Sequence, residues 1–356
     1  MSVVEENARS LSNKNEPSYT LQAILSWGLL LFGLLTLIYP RVAHQPLLPA
    51  YTYSNLKDFS FWQIPFVYVG SYFTRAGGPL LFAFMLGGII ASFIPRETMK
   101  RYMSSRNFGS YMIGASSAPL LTVCSCAMIP VFGGILISGA GIGPAISFFL
   151  VAPAANILSL IFTIDLISWK IALTRLFFSW LGAIFIGLIV SRTSWGRSVE
   201  TRYSGIERLT VEDEHKPSFS KKSWNASIEA GHLARMVLPY LILGVAGVSF
   251  IEAYLPPQIV SRFLVGLKGI ILGGVIGVPF YTPTLVEVFL TKAMINLGMS
   301  PSAAVAFLIG GPMASIPSML GVSRLIGWKT VFTYASLAVI LSIIAGITYS
   351  LTFTTL

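Results

Sequence analysis

This sequence predicts an all-α polytopic membrane protein built as an inverted internal duplication. Each repeat has about three spanning helices plus a broken-helix hairpin, and one extra helix precedes them at the N-terminus. Three observations carry the prediction. The 356 residues are 54% hydrophobic and only 11% charged, with mean hydropathy +0.74, where a soluble domain averages about 25% charged. Apolar segments recur along almost the whole length. The second half repeats the first at a nearly constant offset, and duplicated bundles are a common architecture of transporters.

The elements follow in order. Residues 1–58 read as an N-terminal tail, a first transmembrane helix over Leu21–Tyr39 and a polar connector. The tail carries Glu5, Glu6, Arg9, Lys14 and Glu16, which is not the positive start of a signal peptide. Membrane repeat 1 covers 59–190. It opens with Phe59–Arg75, an interfacial helix or a helix extension broken by Pro65. Gly77-Gly78-Pro79 then starts a span that ends at Ile94-Pro95. A basic connector follows, with Arg96, Lys100, Arg101 and Arg106. Next come Ser110–Gly139, Gly143–Ile164 and Trp169–Val190. A hydrophilic cytoplasmic loop occupies 191–223, with seven Lys/Arg and the run Glu212-Asp213-Glu214. Membrane repeat 2 covers 224–356.

Shifting the chain by 159 residues aligns Gly139–Thr174 with twelve identities over 36 positions. Pro153, Ala155, Ile157 and Ser159 meet Pro312, Ala314, Ile316 and Ser318, and Trp169-Lys170 meets Trp328-Lys329. A shift of 160 brings Arg75, Pro79, Leu81 and Gly87 onto Arg235, Pro239, Leu241 and Gly247. General apolar character does not align prolines, a Trp-Lys pair and an Arg-x-x-x-Pro together.

Charge then sets the orientation. If Ser110–Gly139 crossed the membrane once, the basic connector at 95–109 and the basic loop at 191–223 would lie on opposite sides, against the positive-inside rule. If it enters and returns as two half-helices, both are cytoplasmic. Each repeat then has three full spans, an odd number, and the repeats run in opposite senses; ordinary kinked spanning helices in a parallel duplication are the alternative. The breaks are expected at Cys124–Pro130 and at Tyr281–Glu287, where freed backbone groups line a cavity or are buried in protein. The net charge of +10 is explained by this topology and calls for no nucleic acid.

The chemistry-bearing residues concentrate at those breaks. Cys124 and Cys126 are the only cysteines. Two residues apart on an unbroken helix they diverge by about 200°, but around a break they can converge on one soft, thiophilic solute. Equally, small apolar cysteines let helices approach closely. Glu287 is a carboxylate inside the second hairpin, where a mid-membrane charge costs roughly 2.5–3.5 kcal/mol. It is the candidate for proton coupling, or else it sits at the hairpin mouth, wet or paired with Lys292. Asn156 and its counterpart Ser315 stand beside helix-breaking pairs and either contact solute or bond across helices. Tyr281 and Thr284 are further candidates for lining the same cavity. His44, His215 and His232 show no metal-ligand spacing, and no metal or cofactor is implied. No Walker motif, dinucleotide fingerprint or hydrolase elbow appears, so the chain reads as no enzyme.

The run Pro119–Cys126 with Pro130, then Gly139–Ala145 and Pro153-Ala154-Ala155-Asn156, resembles the first-half signature of the predicted-permease family that includes the ArsP organoarsenical efflux permeases. Gly277-Val278-Pro279-Phe280-Tyr281 and Gly310-Gly311-Pro312 followed by Ser315-Ile316-Pro317 are similar to its second-half patterns. The resemblance spans most of residues 77–350. It implies a multi-pass plasma-membrane permease and, for the ArsP branch, export of trivalent organoarsenicals through Cys124 and Cys126. The second hairpin here has no cysteine, so a third thiol is not supplied. A secondary transporter for a small, thiophilic solute is the leading expectation, with the lipid bilayer and that solute as partners and self-association left open. A permease for another sulfur-related solute, a membrane thiol-redox component and a docking component are the alternatives.

Overall fold

The computed structural model describes residues 24, 27–32, 34–35, 60–94, 96–121, 125–205, 219–254, 263–279 and 286–353. Cys124, Tyr281, Thr284, the polar connector and residues 206–218 of the central loop lie outside the described residues. Within them every regular element is a helix. Residues 27–32 are helical, and the first element described from end to end is α1, Ile64–Phe93, which begins with Pro65 in its first turn, where a missing N–H costs nothing. Its two arms, Ile64–Thr74 and Gly77–Phe93, meet at 64° beside Pro79. The interfacial stretch and the span thus form one bent helix. The short α2, Arg96–Tyr102, leads to α3, Phe108–Ser117, which tightens into a 3-10 turn at Ala118–Leu120.

The remaining helices of the first half are α4, Ser125–Ile137; α5, Ile142–Ala154; α6, Ile157–Leu166; and α7, Trp169–Arg192. An amphipathic α8, Ser194–Gly205, connects to the second half. There α9 is Phe219–Tyr254, α10 Gly266–Ile276, α11 Val286–Asn296, α12 Pro301–Met313, α13 Ile316–Ile326 and α14 Trp328–Phe353. Among the described residues five stretches are long and apolar enough to span a bilayer: α5–α6, α7, Lys222–Phe250 of α9, α12–α13 and α14. Bent α1 is a sixth. The chain is thus a multi-pass membrane protein.

The two halves share local geometry at an offset of 159. Ala155 has φ −141°, ψ 39° and Ala314 has φ −133°, ψ 34°, so α5–α6 and α12–α13 break alike. Gly139 and Gly298 both take positive φ, 87° and 108°, at the turn after α4 and α11. A methyl built on Gly187 would come within 2.6 Å of the Gly143 oxygen. One on Gly346 would come within 2.8 Å of the Ser302 oxygen. These glycines let α7 meet α5, and α14 meet α12, backbone to backbone.

The segments α3–α4 and α10–α11 each leave and return to one place. Gly141 N–H donates to the Met103 oxygen at 2.7 Å, joining the exit of the first to its entry. Ser300 N–H donates to the Leu264 oxygen at 2.9 Å and does the same for the second. The first break differs from expectation. Helix α4 starts at Ser125 and carries Pro130 inside it, so the interruption ends before Pro130. The proline forfeits only its own bond to the Cys126 carbonyl. The second interruption likewise ends before Glu287, which sits in the first turn of α11.

The connector and the start of the central loop share a face. The Tyr111 hydroxyl lies 2.8 Å from Ser191 Oγ and 3.0 Å from the Ser105 oxygen. On that face α8 docks through Tyr203, whose hydroxyl donates to the Leu325 oxygen at 3.2 Å. Lys170 Nζ stacks 5.2 Å from the Phe353 ring, joining the start of α7 to the end of α14 at the other face.

Two outcomes follow from this packing. Gly187→Ala is expected to destabilise by about 1–3 kcal/mol through overpacking. Gly247→Ala, where an added Cβ meets nothing within 4 Å, is neutral or slightly stabilising, and thermal unfolding in detergent distinguishes them. Burial pushes the Tyr203 phenol up to about 12, with Arg202 opposing. The unfolded value is about 10, so this contribution is complete below about pH 10 and lost as pH climbs through about 12. Proteolysis within α8 should accelerate over that window, and Tyr203→Phe should remove the pH dependence.

Candidate functional site

Helix α5 ends at Ala154 because Ala155 leaves helical geometry (φ −141°, ψ 39°), and the last carbonyls are freed inside the apolar layer. Arg175 answers one of them. It lies six residues into α7, about 9 Å along the helix from its start, and is 0% exposed. Its Nε donates to the Ala154 oxygen at 2.5 Å and its Nη1 to Thr163 Oγ1 at 3.3 Å. Its Nη2 donates to Glu287 Oε1. The guanidinium is planar and has five donors, so it can cap a carbonyl and hold a carboxylate at once.

Glu287 is 4% exposed and packed in protein. The alternative of a wet Glu287 at the hairpin mouth, paired with Lys292, is thereby corrected: its partner is Arg175, from the other half of the chain. The carboxylate would be costly alone at this depth, and the ion pair with a multiply bonded guanidinium offsets that cost. Phe162 and Phe289, with ring centroids 5.7 Å apart, pack α6 against α11 beside the pair.

The mirror arrangement is neutral. Ser125, at the start of α4, lies 3.5 Å Oγ to Oγ from Ser315, at the break between α12 and α13. Ser315 Oγ is in turn 2.7 Å from Ser318 Oγ. Each hairpin therefore meets the broken span of the other half, one contact made by hydroxyls and the other by charges. Helix packing agrees, since α4 packs on α13 and α11 on α6.

Cys126 is fully buried one residue beyond Ser125. Asn156 caps α6, its Oδ1 accepting from Ser159 N–H at 2.8 Å, so that oxygen serves the break itself. Ser315 holds the corresponding cap position and instead bonds toward Ser318 and Ser125. Arg175, Thr163, Ser125 and Ser318 escaped the sequence reading. A signal for Arg175 existed: a cation well inside the apolar Trp169–Val190, standing where the repeat has Tyr334. Among the described residues no group of three or more His, Cys, Asp or Glu side chains could hold a metal ion.

A double-mutant cycle tests the pair. Arg175→Gln or Glu287→Gln alone is expected to cost about 3–5 kcal/mol, because each leaves an uncompensated buried charge. The double variant should recover much of that loss in a thermal unfolding assay. Additive losses would mean the two groups do not interact.

The predicted permease family's sequence profile matches residues 74–351 of this chain. UPF0718 protein MJ0584 of Methanocaldococcus jannaschii is 31% identical, with 75% of this chain and 89% of the relative covered. UPF0718 protein YraQ of Escherichia coli K12 is 23% identical, with 81% and 82% covered. No solved structure matches. Helix breaks, returning hairpins and apolar spans thus coincide with a profile over most of the chain, and the chain belongs to the predicted permease family, which carries the ArsP name.

Proposed function

We propose that the chain is a secondary permease of the plasma membrane that carries a small solute past the two points where hairpin and broken span cross. The observation that carries this reading is the pairing of Arg175 with Glu287 across the halves, with Ser125 and Ser315 as its neutral counterpart. Membrane transporters concentrate polar groups and interrupted helices at such a level, because only a buried or cavity-lining site tolerates them.

The repeats, taken as 59–190 and 224–356, are inverted. With each hairpin returning to its own side, three spans separate equivalent points, and equivalent elements run in opposite senses. Packing of the outer helices supports alternating exposure. Helix α1 packs on α4, and α9 packs on α13, on the side of the basic face. Among the described residues α1 has no such packing on α6, nor α9 on α11. Every residue of α4 from Ser125 to Leu136 is buried, whereas Val286 and Phe289 of α11 are exposed. Denser packing on the basic side than on the other is the asymmetry a two-state cycle would use.

Glu287 is the coupling group. Protonation removes its charge and releases its hold on Arg175, which frees the halves to rearrange. The solute is thiophilic, contacted by Cys124 and Cys126 together with Asn156, Tyr281, Thr284 and Ser315. Efflux of trivalent organoarsenicals is the named candidate, and it rests on the thiol pair and the family resemblance.

Cells expressing the chain should survive a trivalent methylated arsenical that arrests control cells. Cys124→Ser with Cys126→Ser should abolish that survival at unchanged protein level; undiminished survival would sink the thiol contact. In reconstituted vesicles Glu287→Gln should lose the response of flux to a pH gradient. Retained pH-driven exchange would remove the coupling role.

A further inference from the structure

A cavity of about 540 Å³ opens on the basic face, away from the crossing points, where α3, α7 and α8 meet. Arg106, Arg192 and Arg197 line it, with Glu200 as its one acid among the described residues. Its floor holds hydroxyls: Tyr111 and Ser191 are bonded at 2.8 Å. Arg197 Nη2 donates to the Arg192 oxygen at 3.0 Å, which anchors that guanidinium at the C-terminal end of α7. The N-terminus of the ten-residue α3 also reaches the cavity at Phe108, and Asn107 makes no side-chain cap there. A helix N-terminus, hydroxyls and three guanidinium groups around one space suit a phosphate. An excess of cytoplasmic arginines for topology alone needs no such enclosure.

We propose that this cavity binds the phosphate headgroup of an anionic phospholipid from the leaflet on the basic face. The apolar surroundings favour a lipid over a free phosphate ester. Phe108 is exposed at the cavity and Met112 continues that face one turn along α3. From Arg192 the exposed face of α7 runs back through Ile189 to Phe185. Two apolar strips thus lead from the phosphate position into the bilayer, where acyl chains lie. The headgroup ties the entry of the first hairpin to the end of α7 and to α8. Basic pockets between membrane helices are the usual seats of such headgroups.

Native mass spectrometry and thermal unfolding of the full chain in detergent test this, with phosphatidylglycerol, phosphatidylcholine and glycerol phosphate as probes. Phosphatidylglycerol should bind and raise the unfolding midpoint, while phosphatidylcholine should not. The triple variant Arg106→Gln, Arg192→Gln, Arg197→Gln should bind it at least about tenfold more weakly. Glu200→Gln, which removes the one negative charge, should bind it more tightly and guards against a folding defect in the triple variant. Equal retention of phosphatidylglycerol by the triple variant, or no preference over phosphatidylcholine, would overturn the proposal. Binding of glycerol phosphate with the same dependence on the arginines, and without added affinity for the lipid, would overturn the lipid as occupant and identify a free phosphate ester.

Discussion

A helix broken inside a bilayer frees backbone groups that water cannot reach, and this protein breaks two spans in the same way. Much of its architecture is the answer to that constraint. The break after Ala154 is closed by the Asn156 side chain on one flank and the Arg175 guanidinium on the other. At the break after Ala314 the Ile316 N–H donates to the Val278 oxygen at 3.2 Å and Ser318 Oγ to the Ser315 oxygen. Helices can be interrupted here because hairpins from the opposite half fill the space around the interruption. Each hairpin is in turn too short to cross, so it needs the broken span as a wall. Glycines at the close approaches allow the backbones to come near enough for this to work.

The charges add a second layer to the same solution. Arg175 cannot be left alone once it has been recruited to a carbonyl, and Glu287 cannot be left alone in the second hairpin. Their pairing joins sequence positions 112 residues apart. The pair is therefore a charged contact between the two halves, buried on both sides.

Much of the fold was legible in the sequence. The offset of 159 marked the equivalent breaks, and the two basic segments argued for a returning hairpin at Ser110–Gly139, whose entry and exit now meet at Met103 and Gly141. Glu287 stood out because a carboxylate in an apolar run is conspicuous. Its partner did not. Arg175 follows Trp169-Lys170 closely enough to pass for an interfacial cation, and only the folded chain brings it to α11. Pro130 misled because a proline suggests a break, whereas α4 absorbs it at the cost of one bond. Ser125 carries no signal, and Ser318 signals only the repeat, since serines are routine packing residues in membrane helices.

Tyr334 occupies in the second half the position that Arg175 occupies in the first. It is fully buried, and its hydroxyl has no hydrogen-bond partner among the described residues. The chain thus contains its own control experiment. One copy of the motif keeps its break, its helix packing and its glycine contacts with no guanidinium at that position. Architecture alone does not demand the cation. The two halves are thus alike in the form of their breaks and unlike in charge beside them, a guanidinium at Arg175 and a phenol at Tyr334.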